Sequence, residues 1–227
     1  MIYRKDHIPR NTPHKRRPGY VMSATTLTIH NTGNESSNAA GERSWLTNPF
    51  NVRQASYHIV VDEREAVECL PLNESGWHSG DGSGSKSGNR TSIGIEICES
   101  GNYAQTLENA VMLVAGMLKE RGWGVDRLRR HYDWSGKICP RLMYDGGKWT
   151  GWVQFKALIN LKLNEEEKDM KVDKASTVIN GNRLGDDSVL IEGRVYVPLA
   201  AVGKALGASV NWNNVTKTVT LTTKGAK

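Results

Sequence analysis

Alternation of apolar and polar residues predicts several strands in the first two thirds of the chain. Residues 25–30, TTLTIH, place Leu27 and Ile29 on one face and His30 on the other, and residues 92–98, SIGIEIC, place three isoleucines opposite Glu96. Residues 57–62 and 66–70 read as the two strands of a hairpin with a charged tip. The pattern therefore predicts strands whose polar faces carry His30 and Glu96.

Helical spacing follows in one long segment. Thr106 is predicted to cap a helix whose apolar residues recur every three or four positions, and Gly122 is predicted to end it. Residues 76–90 and 131–141 are rich in glycine, serine and polar groups, which is typical of loops that carry binding residues. Residues 1–20 form a basic segment that is expected to be mobile.

A charged run near residue 164 predicts a boundary between two domains. We expect a catalytic domain over residues 1–163, a charged linker over 164–175 and a small α+β module over 176–227. In the last segment, turns at 180–181, 192–193 and 213–214 separate short strands. Pro198 and Gly207 are predicted to bound a short helix from Leu199 to Leu206.

Composition favours a globular protein with an anionic partner. Hydrophobic residues make up 38% of the 227 residues, and the net charge is +6. The charge suits nucleic acid, a membrane face or the acidic polymers of a bacterial wall, but the basic clusters lack the interleaved aromatics of a single-strand binder, so no nucleic acid partner is expected. No apolar run reaches the length of a membrane span, and the N-terminal segment lacks the apolar core of a signal peptide.

Histidine and cysteine supply the candidate chemistry. Two neutral imidazoles and one thiolate suffice to hold a catalytic zinc ion, because three protein ligands leave the fourth tetrahedral position for water. His131 and Cys139 flank one loop, and His30 stands at a strand end far away in sequence. Spacing alone leaves this set as one among several.

The remaining histidines and cysteines are weaker candidates. His7 and His14 lie in the basic N-terminal segment, and His58 lies on a strand whose alternation indicates packing. Cys69 and Cys98 lie within apolar strand patterns, where a small buried thiol is the simpler interpretation. The odd number of cysteines also argues against a disulfide framework.

Five motifs in a fixed order resemble the type 2 N-acetylmuramoyl-L-alanine amidase family, which includes phage endolysins, bacterial autolysins and animal peptidoglycan recognition proteins. They are IHNTG, YHIVVD, GWHSG, SIGIEIC and HYDWSGKICP, and the resemblance covers roughly residues 16–160. It implies an α/β fold with a mixed central sheet flanked by helices, and Zn²⁺ held by His30, His131 and Cys139. It also implies cleavage of bacterial peptidoglycan between N-acetylmuramic acid and L-alanine.

The resemblance assigns further roles around the metal. Glu96 looks like the general base, Lys137 like the residue that stabilises the oxyanion, and Tyr57 like a hydrogen-bond donor to the scissile carbonyl. Three more residues are expected to line the substrate groove: Asn31, Trp77 and His78.

The C-terminal segment carries a second resemblance. Residues 177–223 are similar to the small module first described at the N-terminus of copper amine oxidases, although no copper site is apparent, and anionic wall polymers are a candidate ligand. A phage endolysin, made in the bacterial cytoplasm and released to the wall by a holin or by lysis, is the first interpretation of the whole chain. A Gram-positive autolysin, a non-catalytic peptidoglycan-binding protein, and a structural zinc with Cys98 as fourth ligand are the alternatives.

Overall fold

The computed structural model describes residues 1–165, 172–185, 188–191 and 193–223, and the chain divides into two compact units, Met1–Glu165 and Glu166–Lys227. Residues 166–171, in the middle of the predicted linker, lie outside the described residues, as does position 192 of one predicted turn. The last part of the predicted linker is not a linker, because Val172–Ala175 forms a strand of the second unit.

A six-stranded sheet forms the centre of the first unit, and its order is β1-β4-β3-β5-β2-β6. The β3–β4 pair is antiparallel and the other four pairs are parallel, so the sheet is mixed as predicted. The strands are β1 (Ile2–Lys5), β2 (Thr26–Asn31), β3 (Ile59–Val61), β4 (Glu65–Glu68), β5 (Ser92–Ile97) and β6 (Leu128–Arg130).

Helices lie on both faces of this sheet. They are α1 (Ala39–Thr47), α2 (Gly88–Thr91), α3 (Tyr103–Glu120), α4 (Tyr132–Ser135) and α5 (Thr150–Asn164). The isoleucines of β5 pack with apolar residues of α3 and α5 in the larger core, whereas α1 packs with Val60, Val67 and Cys98 in a smaller core on the opposite face. The predicted cap of the long helix was wrong, since α3 begins at Tyr103 and the side chain of Asn102 accepts a hydrogen bond from the Gln105 amide.

Strand alternation and register together decide which residues meet. In the parallel β2–β5 pair, Thr28 is opposite Gly94 and His30 is opposite Glu96, so all four belong to the face away from the isoleucine layer. The predicted hairpin is present as β3 and β4, and its tip lies at residues 62–64. The polar faces of two strands therefore combine into one surface.

The basic N-terminal segment is folded, contrary to expectation. β1 is an edge strand that pairs in parallel with β4. Arg16 is fully buried and donates hydrogen bonds to the carbonyl oxygens of Leu46, Asn51 and Arg53, and Arg17 pairs with Glu74. Several cations of the segment therefore stabilise the fold.

The second unit is built from short strands and one helix. Its strands are β7 (Val172–Ala175), β8 (Val178–Ile179), β9 (Asn182–Arg183), β10 (Ser188–Ile191), β11 (Arg194–Tyr196), β12 (Ser209–Asn213) and β13 (Thr218–Thr222). The helix α6 spans Leu199–Ala205, close to the predicted bounds, and Gly203 lets it approach Val210 of β12, since a Cβ there would lie 2.4 Å from that side chain. Across the described parts of both units, no helix has the length and apolarity to cross a membrane.

Candidate metal centre

Two parallel strands bring the candidate ligands to one edge of the first unit's sheet. β2 and β6 are hydrogen-bonded neighbours with Ile29 opposite Arg130, so His30 near the end of β2 and His131 directly after β6 reach the same carboxyl edge. Their Nδ1 atoms lie 3.1 Å apart, and the Cys139 Sγ lies 3.7 Å from the His30 Nδ1. All three side chains are buried, and one donor atom from each lies within 4.8 Å of the others.

The loop after β6 folds back to deliver Cys139. The short helix α4 ends at Ser135, and the next residue, Gly136, has a φ of +75°, in the left-handed region that glycine adopts without strain. The Tyr132 amide then donates to the Cys139 carbonyl oxygen at 3.2 Å, closing the loop. The Asn31 amide lies 3.4 Å from the Cys139 Sγ and can donate a hydrogen bond to it, which would favour a thiolate.

Burial sets the protonation of these groups. It holds the pKa of His30 well below its usual value and lowers the pKa of His131 to about 4, the Lys137 charge adding to the second effect. Burial raises the pKa of the Cys139 thiol to about 12, and the Glu96 carboxylate acts in the same direction. At neutral pH the centre without metal therefore consists of two neutral imidazoles and a thiol.

Glu96 lies beside the candidate ligands because its strand position is opposite His30. Its Oε1 is 4.0 Å from the His30 Nδ1, and its Oε2 is buried without a hydrogen-bond partner among the described residues. Burial raises the pKa of Glu96 to about 8, with the nearby Glu42 adding to the effect. An unpartnered carboxyl oxygen in such a place is available for a hydrogen bond with a water molecule or a substrate group, and it accepts when the carboxyl is ionised.

This donor set fits a zinc ion. Nitrogen and sulfur donors are the protein ligands that zinc prefers, and three of them leave the open coordination position of a catalytic site. Among the described residues the group does not include Cys98, which is fully buried in the smaller core. The structure therefore offers no support for a closed four-ligand structural site here.

A groove of about 350 Å³ opens onto the ligands, and the predicted catalytic residues line it. Lys137 is exposed on its rim. Tyr57 is buried, and its hydroxyl donates to the Glu42 carbonyl oxygen at 2.8 Å. A tyrosine has one hydroxyl hydrogen, so the bond to Glu42 competes with the predicted bond to a scissile carbonyl.

The predicted groove residues also have internal partners. The Asn31 carboxamide accepts from the Leu142 amide at 3.1 Å, and the Trp77 indole donates to the Lys15 carbonyl oxygen at 2.8 Å. The His78 ring is buried, with its Nδ1 at 3.2 Å from the His30 Nε2 and its Nε2 at 3.0 Å from the Ser92 carbonyl oxygen. All three nevertheless line the groove.

Sequence reasoning missed one wall of the groove. This wall comes from α1 and the segment after it, whose sequence shows neither a strand pattern nor metal-ligand spacing. The one available signal was Asn38, which caps the start of α1. Its members are Glu42, Trp45, Leu46, Asn51, Arg53, Gln54, Ala55 and Ser56.

A group of two histidines and one cysteine that could hold a metal ion lies beside an open groove at the carboxyl edge of a mixed sheet, an arrangement typical of catalytic metal sites. The chain belongs to the N-acetylmuramoyl-L-alanine amidase family, whose sequence profile matches residues 20–142. This family is generally zinc-dependent. Residues 178–227 match a second family, described as the copper amine oxidase N-terminal domain.

Individual relatives agree with this assignment. The N-acetylmuramoyl-L-alanine amidases XlyB and CwlA of Bacillus subtilis (strain 168) are 47% and 42% identical over 63% and 68% of this chain. The chain spans about half of their length, 44% and 56% respectively. The solved catalytic domain of XlyA superposes with a TM-score of 0.62 at 41% identity, covering 70% of this chain and 99% of that one.

Proposed function

We propose that the first unit is a zinc-dependent amidase that hydrolyses the bond between N-acetylmuramic acid and L-alanine in bacterial peptidoglycan. The observation that carries this proposal is the convergence of His30, His131 and Cys139 beside the unpartnered carboxyl oxygen of Glu96. The named activity of the Bacillus subtilis relatives supplies the bond and the substrate.

Zinc at these ligands would supply Lewis acidity toward the scissile carbonyl and the attacking water. Glu96 has a free acceptor oxygen on the same side of the sheet and would take the proton of that water, then return it to the leaving amine. Glu96 must be ionised to act as a base, and a nearby cation would lower its raised pKa of about 8.

The two other predicted catalytic residues, Lys137 and Tyr57, differ in how readily they can reach the scissile carbonyl. Lys137, exposed on the groove rim, would place its ammonium near the negative charge that develops on the carbonyl oxygen. Tyr57 would donate to that oxygen only after its hydroxyl hydrogen leaves the Glu42 carbonyl. We therefore expect Tyr57→Phe to affect turnover less than Lys137→Ala.

Digestion of purified peptidoglycan followed by mass spectrometry of the fragments tests the reaction. The expected products are stem peptides with a free L-alanine amine and glycan strands with intact reducing ends. New sugar reducing ends would show a glycosidase instead, and intact peptidoglycan bound by metal-loaded protein would favour the non-catalytic alternative.

Paired variants test the roles of the residues. Cys139→Ser should remove both stoichiometric zinc and activity, because an alcohol is a poor ligand at neutral pH. Glu96→Gln keeps the shape of the side chain and should retain zinc while losing most turnover, about 100-fold or more for a general base. Full activity in either variant would contradict the assigned role.

A phage endolysin released to the wall by a holin or by lysis is the setting we propose, supported by a relative of known structure, 41% identical, described as a mutant endolysin from Bacillus subtilis. Expression in a Gram-positive host with and without a holin separates this setting from that of an autolysin. Lysis that requires the holin supports the endolysin, and lysis without it supports the autolysin.

For the second unit we propose binding to anionic wall polymers. Residues 166–227 contain nine lysines and arginines against seven aspartates and glutamates, a net charge of +2. Cosedimentation of the whole protein with cell walls, before and after chemical removal of teichoic acids, tests this role. Equal binding to both preparations would refute it.

A further inference from the structure

One short loop, residues 76–80, lies next to both candidate histidine ligands. It contacts His30 at the ring nitrogen that does not face His131 and Cys139. The His30 Nε2 lies 3.2 Å from the His78 Nδ1, and the two rings meet edge to face with an interplanar angle of 90°. The backbone of the same loop also lies next to His131, since a Cβ added at Gly80 would be 3.2 Å from the His131 Nε2. One loop therefore contacts the two histidines that the proposed function assigns to zinc.

The hydrogens in this chain of contacts can be placed by elimination. The Ser92 carbonyl oxygen only accepts, so the His78 Nε2 at 3.0 Å from it must carry a hydrogen. The His78 ring is buried between the imidazoles of His30 and His58, where a charged ring is strongly disfavoured, so it is neutral and its Nδ1 is then an acceptor. The hydrogen between the two rings therefore belongs to the His30 Nε2, and the lone pair of His30 is on Nδ1, the atom nearest His131 and Cys139.

We propose that His78 is a positioning residue that holds His30 in the Nε2–H tautomer and thereby presents its Nδ1 lone pair to the metal. The inference rests on the metal site of the proposed function. The hydrogen bond made by one ring nitrogen of a neutral histidine sets which nitrogen binds the metal, so a fixed acceptor behind the ring selects the ligand atom and its direction.

The surrounding structure holds His78 in place. The His78 and Ser79 amides both donate to the Asn89 side-chain oxygen, at 2.7 and 2.9 Å. The ring of His78 lies against the backbone of β5 at Gly94, where an added Cβ would come within 2.6 Å of it. Gly94 is opposite Thr28 on the face of the sheet that carries the site, and its lack of a side chain leaves room for the His78 ring.

These contacts distinguish positioning from substrate binding. Both ring nitrogens of His78 are occupied, by His30 and by the Ser92 carbonyl oxygen, so neither remains for a substrate group. The side chain is also only 7% exposed. His78 therefore acts on the reaction through His30 and not through the substrate.

Two substitutions of His78 that are similar in size to each other test the contribution of the hydrogen-bond acceptor at this position. In His78→Asn the amide oxygen lies near the former Nδ1 and can still accept from His30, whereas His78→Leu offers no acceptor of similar size. Zinc dissociation constants measured by competition with a chromophoric chelator should be 10- to 100-fold weaker for His78→Leu, the usual effect of losing an outer-sphere partner, and within about threefold of the parent for His78→Asn. Thermal unfolding of the metal-free proteins monitors folding.

The tautomer itself is measured in the metal-free whole protein by ¹⁵N shifts of the histidine rings. We expect His30 to carry its hydrogen on Nε2 in the parent and in His78→Asn. A His30 with its hydrogen on Nδ1 would overturn the inference, as would equal zinc affinity in the Leu and Asn variants. If the parent binds no zinc, the proposed function fails, and the tautomer measurement still decides the inference.

Discussion

Protonation of the buried histidine His58 is expected to destabilise the first unit as the pH falls. The His58 ring is fully buried and neutral, and both of its nitrogens are engaged: the Gly94 amide donates to Nδ1 at 2.9 Å, and Nε2–H donates to the Glu74 carbonyl oxygen at 2.8 Å. A proton on Nδ1 would replace the first of these bonds by a clash between two N–H donors. Burial accordingly lowers the pKa of His58 to about 4.

The size of the effect follows from linkage between proton binding and folding. A folded-state pKa below the unfolded value of 6.5 gives stability that is fully present above pH 6.5 and is lost as the pH falls toward 4. Each pH unit in this window costs up to about 1.4 kcal/mol for one histidine, which sums to roughly 3 kcal/mol. This is a large share of the stability of an ordinary domain, which is about 5–15 kcal/mol.

Urea unfolding between pH 7.5 and 4.5 measures the contribution of His58 to the free energy of unfolding. A chelator keeps the protein free of metal during the titrations. Six of the seven tryptophans lie in the first unit, so their fluorescence reports mainly on it. His58→Gln keeps an amide donor for Glu74 but does not titrate, whereas His30, His78 and His131 titrate in both proteins. The parent should lose about 1 kcal/mol more per pH unit than the variant below pH 6. Parallel pH profiles would refute the assignment of a depressed pKa to His58.

Three further perturbations follow from the packing and the charges. Arg16→Ala should lower the unfolding free energy by about 3 kcal/mol in urea titrations, because it leaves the buried carbonyl oxygens of Leu46 and Asn51 without this donor. Zinc binding at pH 7 should release about one proton from the Cys139 thiol. Any further proton released should come from Glu96, so Glu96→Gln should reduce that additional release. Calorimetry in buffers of different ionisation enthalpy counts the protons released. Gly203→Val should unfold the helix α6 region through a clash with Val210, seen as faster hydrogen exchange there, without changing zinc affinity.

The parts of the fold that rest on local pattern were predictable. Alternation in residues 92–98 assigns Glu96 to the face opposite the isoleucines, and alternation in residues 25–30 does the same for His30. The structure confirms both strands, and α6 lies close to its predicted bounds. These features depend on residues near one another in the chain, where side-chain periodicity is informative.

Features that depend on distant partners were not predictable. β1 is a strand because it pairs with β4, more than sixty positions away, and nothing within residues 1–20 reveals that partner. The start of α3 was misplaced for a different reason, since Asn102 and Thr106 are both acceptable caps and only the backbone shows which one is used. The charged run coincides with the division of the chain between Glu165 and Glu166, but nothing in its sequence indicates the strand Val172–Ala175.

The candidate site shows the same division between local and distant information. The resemblance to the amidase family identified His78 as a candidate groove residue. Its contact with His30 depends on the register of β2 against β5 and on the absence of a side chain at Gly94, neither of which the sequence shows. Gly94 and Glu96 are two positions apart on the same face of one strand. The first leaves space for the ring that orients His30, and the second supplies the carboxylate next to it. A larger residue at Gly94 should therefore impair zinc binding without touching any ligand.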